Sequence, residues 1–598
     1  MKELVEDFIQ ISNHYPVEKV SSPFMVTVEE LSSMLFCTPR NVKFILNKMI
    51  DEGWIRFEPG RGRGKKSTLT LLKSKEEILY EEGIRLIQRG AISHAFELIS
   101  KHGTPILRLH LLNWLGEYFG YKKQDNATGY KEILRLPVFR TINTLRPDLA
   151  YYDFDVHLVK QIYNTLVTFD HNTQKATGKL AHFWEVNADK TVWTFFLKKG
   201  VLFHHGKEFE AADVEFTIKR LTRPDYPQAW LVSTIKQVMV IDRYTIQFQL
   251  NKPNALFLQY LSFPALSIVP LDESIDHDAM LPTGTGPFQV VSCHLDQCIL
   301  EAHPYHFEGR AFMDRIEIMN IPKLFPEGSP LSNNIFINTG ENQAYTKNPD
   351  WSALEDTYDG CSLLTFNLNK PESPLCHKLF RQVLDKLINR RKMIRDLGYP
   401  RVYPASGFER SKTRTQDTQE ITPDEINKWI HHSGYLGEPI RLFTYDRHEQ
   451  DANWLKQESM EYGINLTVSI YSWTDMLDPA IMQQADCILF EAVWGEDELS
   501  KIELYQSGYS FMRVHLDEEN RRILDQIIEK LLNEEEKTAR DLLFDEVEER
   551  LKTEILVSFL VHKDSHTNFH PSIRGVKLNS RASVDFKDIW IHPDSSKN

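Results

Sequence analysis

Four cations crowd one short glycine-rich stretch. In EPGRGRGKKSTLTLL, Glu58–Leu72, the residues Arg61, Arg63, Lys65 and Lys66 are interleaved with Gly60, Gly62 and Gly64. Guanidinium groups bind phosphate as two-pronged donors, and ammonium groups bind it as point charges. Glycine lets the backbone turn tightly and approach another surface closely. The flanking stretches GWIRFE and TLTLL predict the strands of a β-hairpin with this basic tip. A second set of polar residues precedes it: Arg40, Asn41, Lys43, Asn47 and Lys48. Arg can donate twice to guanine and Asn can pair the edge of adenine, so these types suit base reading as the tip suits phosphate. From Thr38 to Lys66, eight Lys or Arg stand against Asp51, Glu52 and Glu58, a local +5. The whole chain carries −14, which leaves −19 outside this segment. Such asymmetry points to one end that meets a polyanion while the rest stays soluble.

Side chains with this chemistry need elements that hold them. VEDFIQISNHY places Val5, Phe8, Ile9 and Tyr15 along one helical side. Thr27 and Glu30 have capping-box spacing and predict a helix start. Thr38 suits an N-cap and Pro39 the first turn of the next helix. In that helix Val42, Ile45, Leu46 and Met49 form an inward stripe, and Gly53 closes it. Helix, helix, turn, helix, hairpin is the order of a winged helix-turn-helix, whose second turn helix enters the major groove. The expected partner is double-stranded DNA. The helix reads bases, and the wing tip touches phosphate or the minor groove. Phe36, Phe44, Trp54 and Phe57 are expected to join the core.

Other motifs point away from catalysis. His204 and His205 are adjacent, so on a strand they point apart and cannot easily share a metal. LPTGTGPFQV, 281–290, lacks the Lys-Ser/Thr of a phosphate-binding loop and reads as a structural crossing. The six cysteines, 37, 293, 298, 361, 376 and 487, form no CxxC pair. They read as buried thiols, although Cys293 and Cys298 could meet across a turn. No nucleophile elbow, HExxH or dinucleotide fingerprint is present, so the expectation is no enzyme, no metal and no cofactor.

The chain of 598 residues is too long for one core and predicts roughly three to five units. Residues 1–73 are the winged helix. Residues 74–128 read as a helical linker, whose Leu- and Trp-containing stretch 108–119 packs either within the chain or in a homodimer. The polar KKQDNATG, 122–129, reads as a boundary. From 129 to 598 strands alternate with helices. The first residues carry acids where a signal peptide needs an apolar run, and 255–271 is interrupted by Gln, Ser and two prolines. The expectation is a cytoplasmic protein with no membrane partner.

Two resemblances sharpen this reading. LSSMLFCTPRNVKFILNKMIDEGWIRFEPGRGRGKKSTLTL resembles the DNA-binding domain of SgrR-type bacterial transcriptional regulators, a likeness covering about residues 1–120. LAHFWEVNADKTVWTFFLKKGVLFHHGKEFEAADVEFTIKRL, PTGTGPF and LTFNLNKP are similar to segments of the family 5 solute-binding proteins, over most of 131–594. That second resemblance implies two α/β lobes around a ligand cleft, one lobe built from both chain ends and the other at about 365–500. The expected fold class is therefore multidomain α+β and α/β: winged helix, helical linker and a two-lobed type II binding domain. In peptide-binding members an Asp shortly after a Trp holds the peptide amino group; Trp494, Glu496 and Asp497 occupy the comparable place, without the usual Asn-Glu-Pro-like text after them. Transport members commonly carry Asp where His205 stands, whereas SgrR-type regulators tend to carry the double His. The resemblance thus implies a regulator whose second domain senses a small ligand such as a sugar phosphate or peptide and modulates a promoter, with transport genes as a natural target. The alternative is a substrate-binding receptor of an ABC importer for oligopeptides or similar solutes.

Overall fold

The computed structural model describes residues 2–592 apart from 16–20, 61–65, 127–128, 139–140, 172, 224–225, 273–280, 322–336, 341–351, 357–358, 411–421, 495–497 and 578–583. The chain begins with α1 (Lys2–His14), β1 (Pro23–Val26), α2 (Val28–Met34), α3 (Pro39–Asp51), β2 (Ile55–Glu58) and β3 (Ser67–Leu71). Local chemistry starts the helices. Glu30 N–H donates to Thr27 Oγ1 at 3.1 Å while Thr27 N–H donates to Glu30 Oε2 at 2.8 Å, a complete capping box. Thr38 Oγ1 caps α3 through Asn41 N–H. Gly53, at φ +70°, ends that helix in a left-handed turn that an L side chain rarely adopts. The sheet order is β1–β3–β2, all antiparallel. Phe8, Leu31, Val42, Leu46, Met49 and Leu69 are buried between helices and sheet, and Phe8 meets Trp54 edge-on at 5.7 Å.

Three more helices follow, α4 (Lys75–Gln88), α5 (Ile92–His102) and α6 (Pro105–Tyr118). Their inner residues Leu79, Ile87, Ile99, Leu111 and Leu115 share one core with the winged helix. Leu107, Leu111, Leu112 and Leu115 of α6 are thus buried within the chain, while Ile106 and Leu109 stay exposed. The polar 122–129 segment is not a simple loop. Its residues 122–126 belong to β4 (Gly120–Asn126), paired antiparallel with β5 (Gly129–Val138). An edge strand with solvated Lys, Gln and Asp has no apolar alternation to betray it, and backbone pairing decides its conformation.

Beyond β5 the chain builds three larger sheets. A five-stranded sheet joins Phe288–Cys293, Gln297–Ala302, Arg315–Asn320, β5 and β4 in that order. A four-stranded sheet holds Ala181–Val186, Val192–Leu197, Ile235–Asp242 and Thr245–Leu250. A six-stranded mixed sheet runs from Asp359–Phe366 through Ile440–Tyr445, Leu466–Tyr471 and Cys487–Trp494 to Val557–Lys563, with Arg401–Pro404 at one edge. After Val557–Lys563 the chain returns: Ile573, Phe586 and Ile589 enter the core of the five-stranded sheet beside Leu134 and Ile316. Both ends of this half therefore complete the same lobe, as the resemblance implied.

Candidate nucleic-acid interface and the interlobe site

The sequence of α3 sorts its side chains into two faces. Val42, Ile45, Leu46 and Met49 are buried, while Arg40, Asn41, Lys43, Asn47 and Lys48 are all exposed. The helix is rigidly seated by its Thr38 cap and its core stripe, so the outward donors hold fixed spacing. Lys66, at the start of β3, is exposed and lies 3.4 Å from Glu30 Oε1. Arg61, Arg63 and Lys65 lie outside the described residues. The aromatic residues divide differently from expectation. Trp54 is buried and Phe57 packs against the core, but Phe36 is 90 % exposed and Phe44 57 % exposed. Phe44 falls one helical turn from both Arg40 and Lys48, on the outward face, and the Lys48 ammonium lies 4.4 Å from its ring centroid. Phe36 sits at φ +50° in the turn between α2 and α3, where no core surface faces it. The i, i+4 spacing alone would have placed Phe44 outside.

The interlobe residues come from distant segments. Tyr151 and Tyr152 precede a helix, Asp153–Ile162, packed on the five-stranded sheet. Trp473, Tyr445 and Tyr509 belong to the half built on the six-stranded sheet. Trp473 lies 5.2 Å from Tyr152 and 4.9 Å from Tyr445, and Tyr509 lies 5.7 Å from Tyr151. Beside them, buried Asp148 accepts from Arg146 at 2.7 Å and Arg220 at 2.8 Å. Sequence reasoning missed this aromatic meeting point, because only folding joins residues so far apart. Trp494 ends the strand Cys487–Trp494 with its backbone opposite Asp359, while Glu496 and Asp497 lie outside the described residues. Just after them, buried Glu498 is clamped by Arg540 at 2.7 Å and by Gln259 at 2.9 Å.

Charge is buried nearby. Lys563 lies 3.1 Å from Asp451 and 3.8 Å from Glu491, and Arg401 binds Asp451. Burial pushes the Asp451 carboxyl up, but Lys563, His448 and Arg401 outweigh it and hold it well below the usual carboxylate range. Burial, reinforced by Lys563, depresses His448 to about 4. The double histidine lies in a turn rather than on a strand, and its two side chains take different partners. His204 is pushed down to about 3 by burial and clamps the crossing, accepting from Gly284 N–H at 3.2 Å and bonding the Gly286 carbonyl at 3.1 Å. His205 instead faces Asp272 at 3.5 Å. A Cβ on Gly284 or Gly286 would collide with the Ile162 backbone, so PTGTGPF is a close crossing between layers. Among the described residues no three His, Cys, Asp or Glu are grouped to hold a metal, and no helix is long and apolar enough to cross a membrane.

A winged helix-turn-helix joined to a two-lobed solute-binding fold defines the class. Residues 3–122 match the family model described as sugar transport-related sRNA regulator N-term, and residues 175–510 match bacterial extracellular solute-binding proteins, family 5 Middle. The chain belongs to the family 5 solute-binding proteins and joins that domain to an SgrR-type N-terminal domain. It is 32% identical over 573 residues to the uncharacterized protein YhjP of Bacillus subtilis (strain 168), covering 95% of this chain and 96% of that one. It is 27% identical over 604 residues to the HTH-type transcriptional regulator SgrR of Yersinia pseudotuberculosis serotype I, covering 99% of each. In fold it is similar to the periplasmic binding protein DppA from Helicobacter pylori in complex with the peptide STSA, with TM-score 0.66 and 20% identity over 77% of this chain and 98% of that chain. The murein tripeptide binding protein MppA of Escherichia coli gives TM-score 0.66 at 17% identity, over 77% of this chain and 98% of that one.

Proposed function

We propose that this protein is a cytoplasmic transcriptional regulator that binds promoter DNA through α3 and its wing, and whose two lobes sense a small solute such as a sugar phosphate or peptide. The observation that carries the reading is α3 itself: four buried apolar residues fix a face of five exposed Arg, Asn and Lys. Arg40 and Asn41 stand nearest the N-terminus of that helix, where base edges are read. Arg61, Arg63, Lys65 and Lys66 serve as the wing that contacts phosphate or the minor groove. In the lobes, Trp494, Glu496 and Asp497 together with the aromatic group around Trp473 are the ligand contacts of this reading.

The switch follows from differential affinity. A ligand that prefers closed lobes shifts them toward closure, and a tenfold change in DNA affinity needs only about 1.4 kcal/mol of coupling. Lobe movement has a short path to α3, because the helices behind the winged helix share a core with Met319 and Ile321 of the five-stranded sheet.

The test is a gel shift of the full chain on DNA selected from a random pool, with wild type beside Arg40→Ala/Lys43→Ala and Arg61→Ala/Arg63→Ala. Sequence-specific shifts lost in the first variant, and weakened evenly across sequences in the second, are expected. Adding sugar phosphates and short peptides to the shift identifies the solute class. Absence of any selected sequence, with peptide binding intact by calorimetry, would transfer the reading to an importer receptor, which the DppA-like fold favours.

A further inference from the structure

Cys293 ends one strand of the five-stranded sheet, and Cys298 stands directly opposite it on the next strand. Between them lies a tight hairpin: His294 N–H donates to Gln297 O at 2.8 Å, and Gln297 N–H donates to His294 O at 3.2 Å. His294 and Gln297 therefore form a hydrogen-bonded pair, and the next pair outward, Cys293 with Cys298, is of the non-hydrogen-bonded kind. Opposed Cα atoms in such a pair are about 4.5 Å apart with side chains on one face, inside the range of about 4.4–6.8 Å that a disulfide spans. Both side chains face the same core, Cys298 fully buried and Cys293 partly so. The remaining cysteines have no such partner among the described residues: Cys361 opposes Ala492, and Cys487 opposes Phe366.

The same hairpin is where the two halves of the chain are fastened. Asp296 accepts from Ser93 N–H at 3.0 Å and from Ser93 Oγ at 2.6 Å. It thereby caps α5, whose own N-cap residue, Ala91, has no side-chain acceptor to offer. An added Cβ at Gly90 would stand 3.5 Å from Gln297 Cβ, so the hairpin packs against the turn between α4 and α5. Asn320 N–H, from the neighbouring strand of the same sheet, donates to Asp296 O at 2.8 Å and holds the hairpin tip in place.

We propose that Cys293 and Cys298 are a reversible disulfide site, oxidised by a peroxide-class oxidant, on the hairpin that fastens the solute-binding half to the winged-helix half. Cys293, the more accessible thiol, reacts first. Its thiolate attacks one peroxide oxygen, an S–O bond forms as the O–O bond breaks, and the departing oxygen takes a proton to leave as alcohol or water. Cys298 then attacks the sulfenic sulfur. The S–S bond forms, the S–O bond breaks, and the Cys298 proton leaves with the hydroxide as water. Two electrons pass from the thiol pair to the peroxide, and a dithiol reductant reverses the change. The hydrogen bond with Cys293 and burial push the Cys298 thiol up, which keeps it protonated until its neighbour is oxidised.

The experiment treats the folded full chain with hydrogen peroxide, alkylates free thiols and maps peptides under non-reducing conditions. The expected product is a linked Cys293–Cys298 peptide with a two-hydrogen mass loss, restored by dithiothreitol, while Cys361 and Cys487 alkylate only after denaturation. Cys298→Ser should instead leave Cys293 over-oxidised or capped. Hydrogen exchange is read on the same samples, and the amides at the start of α5 should change protection on oxidation. Cys293 oxidised singly with Cys298 still alkylatable, or linkage formed only in denaturant, overturns the site. Linkage with unchanged exchange in α5 overturns its connection to the docking contact.

Discussion

The two ends of this molecule store their chemistry in different ways. In the winged helix a single 13-residue helix carries both the core stripe and the exposed face, and neighbours in sequence are neighbours in space. In the two-lobed half, Tyr152 meets Trp473 and Asp451 meets Lys563 across long stretches of chain. The ion pairs differ in the same sense. Lys66–Glu30 is exposed to screening water, while Asp451, Lys563 and Arg401 are almost fully enclosed. A locally encoded site tolerates change one residue at a time; a site assembled from afar fails with its framework.

The largest effect expected to separate the two halves comes from the enclosed charges. Lys563→Met removes a buried cation shared by Asp451 and Glu491, which keep Arg401 and Arg447 as partners, and should lower stability by about 3 kcal/mol, the low end for a broken buried pair, read as a fall in the urea midpoint of the two-lobed half. DNA binding by the same variant should persist at temperatures where its lobes remain folded, and equal loss in both halves would break the contrast.

Acid should also act mainly on the lobes. His204, His448 and His515 are buried with pKa values pushed down to about 3, 4 and 4, chiefly by burial. Each binds a proton more readily unfolded, near pH 6.5, than folded. Their contribution is therefore present above about pH 6.5 and is lost as pH falls toward 4. Asp155, raised to about 7 by burial, has the opposite sign and loses its contribution as pH rises from about 4 to 7. Chemical denaturation across pH 4–7 should show a net fall in midpoint on the acid side. His515→Gln should flatten that slope, and an unchanged slope would remove this histidine from the account.

On the DNA side, Arg40→Ala should lose about 1–3 kcal/mol on a selected site and relax preference at one base pair, measured by competition binding. Asp296→Ala removes the cap that one half lends the other, at about 1 kcal/mol, and should raise hydrogen exchange in α5 without altering affinity for a solute. Phe44→Ala should have the smallest effect, a loss below tenfold concentrated on sites bearing thymine, whose methyl the exposed ring can cover. Comparison of thymine- and uracil-containing sites checks this, and equal discrimination in wild type and variant would return Phe44 to a simple support for Lys48.

Much of the first half was legible before the fold was known. Thr27 with Glu30, Thr38 with Pro39, and the Val42–Met49 stripe each state a local rule that the backbone obeys. Residue type alone points Phe36 and Phe44 to the core, yet both are exposed, and helical spacing sets Phe44 beside Arg40 and Lys48. The edge strand β4 was hidden by its polar side chains, because pairing with β5 needs no apolar pattern. In the second half the close crossing at Gly284 and Gly286 followed from residue type, whereas His204 and His205 part in a turn, where strand alternation does not operate.

Spacing of three or four residues, caps and glycine stops are written within one helical turn, so local sequence dictated α3, its exposed face and the strands β2 and β3 behind it. The aromatic meeting of Tyr151, Tyr152, Trp473 and Tyr509, the Lys563–Asp451–Arg401 cluster, and the capping of α5 by Asp296 were decided by tertiary structure. Each joins residues whose separation along the chain carries no periodic signal. Their energy exists only once water has been excluded and the backbone has brought them within a few ångströms.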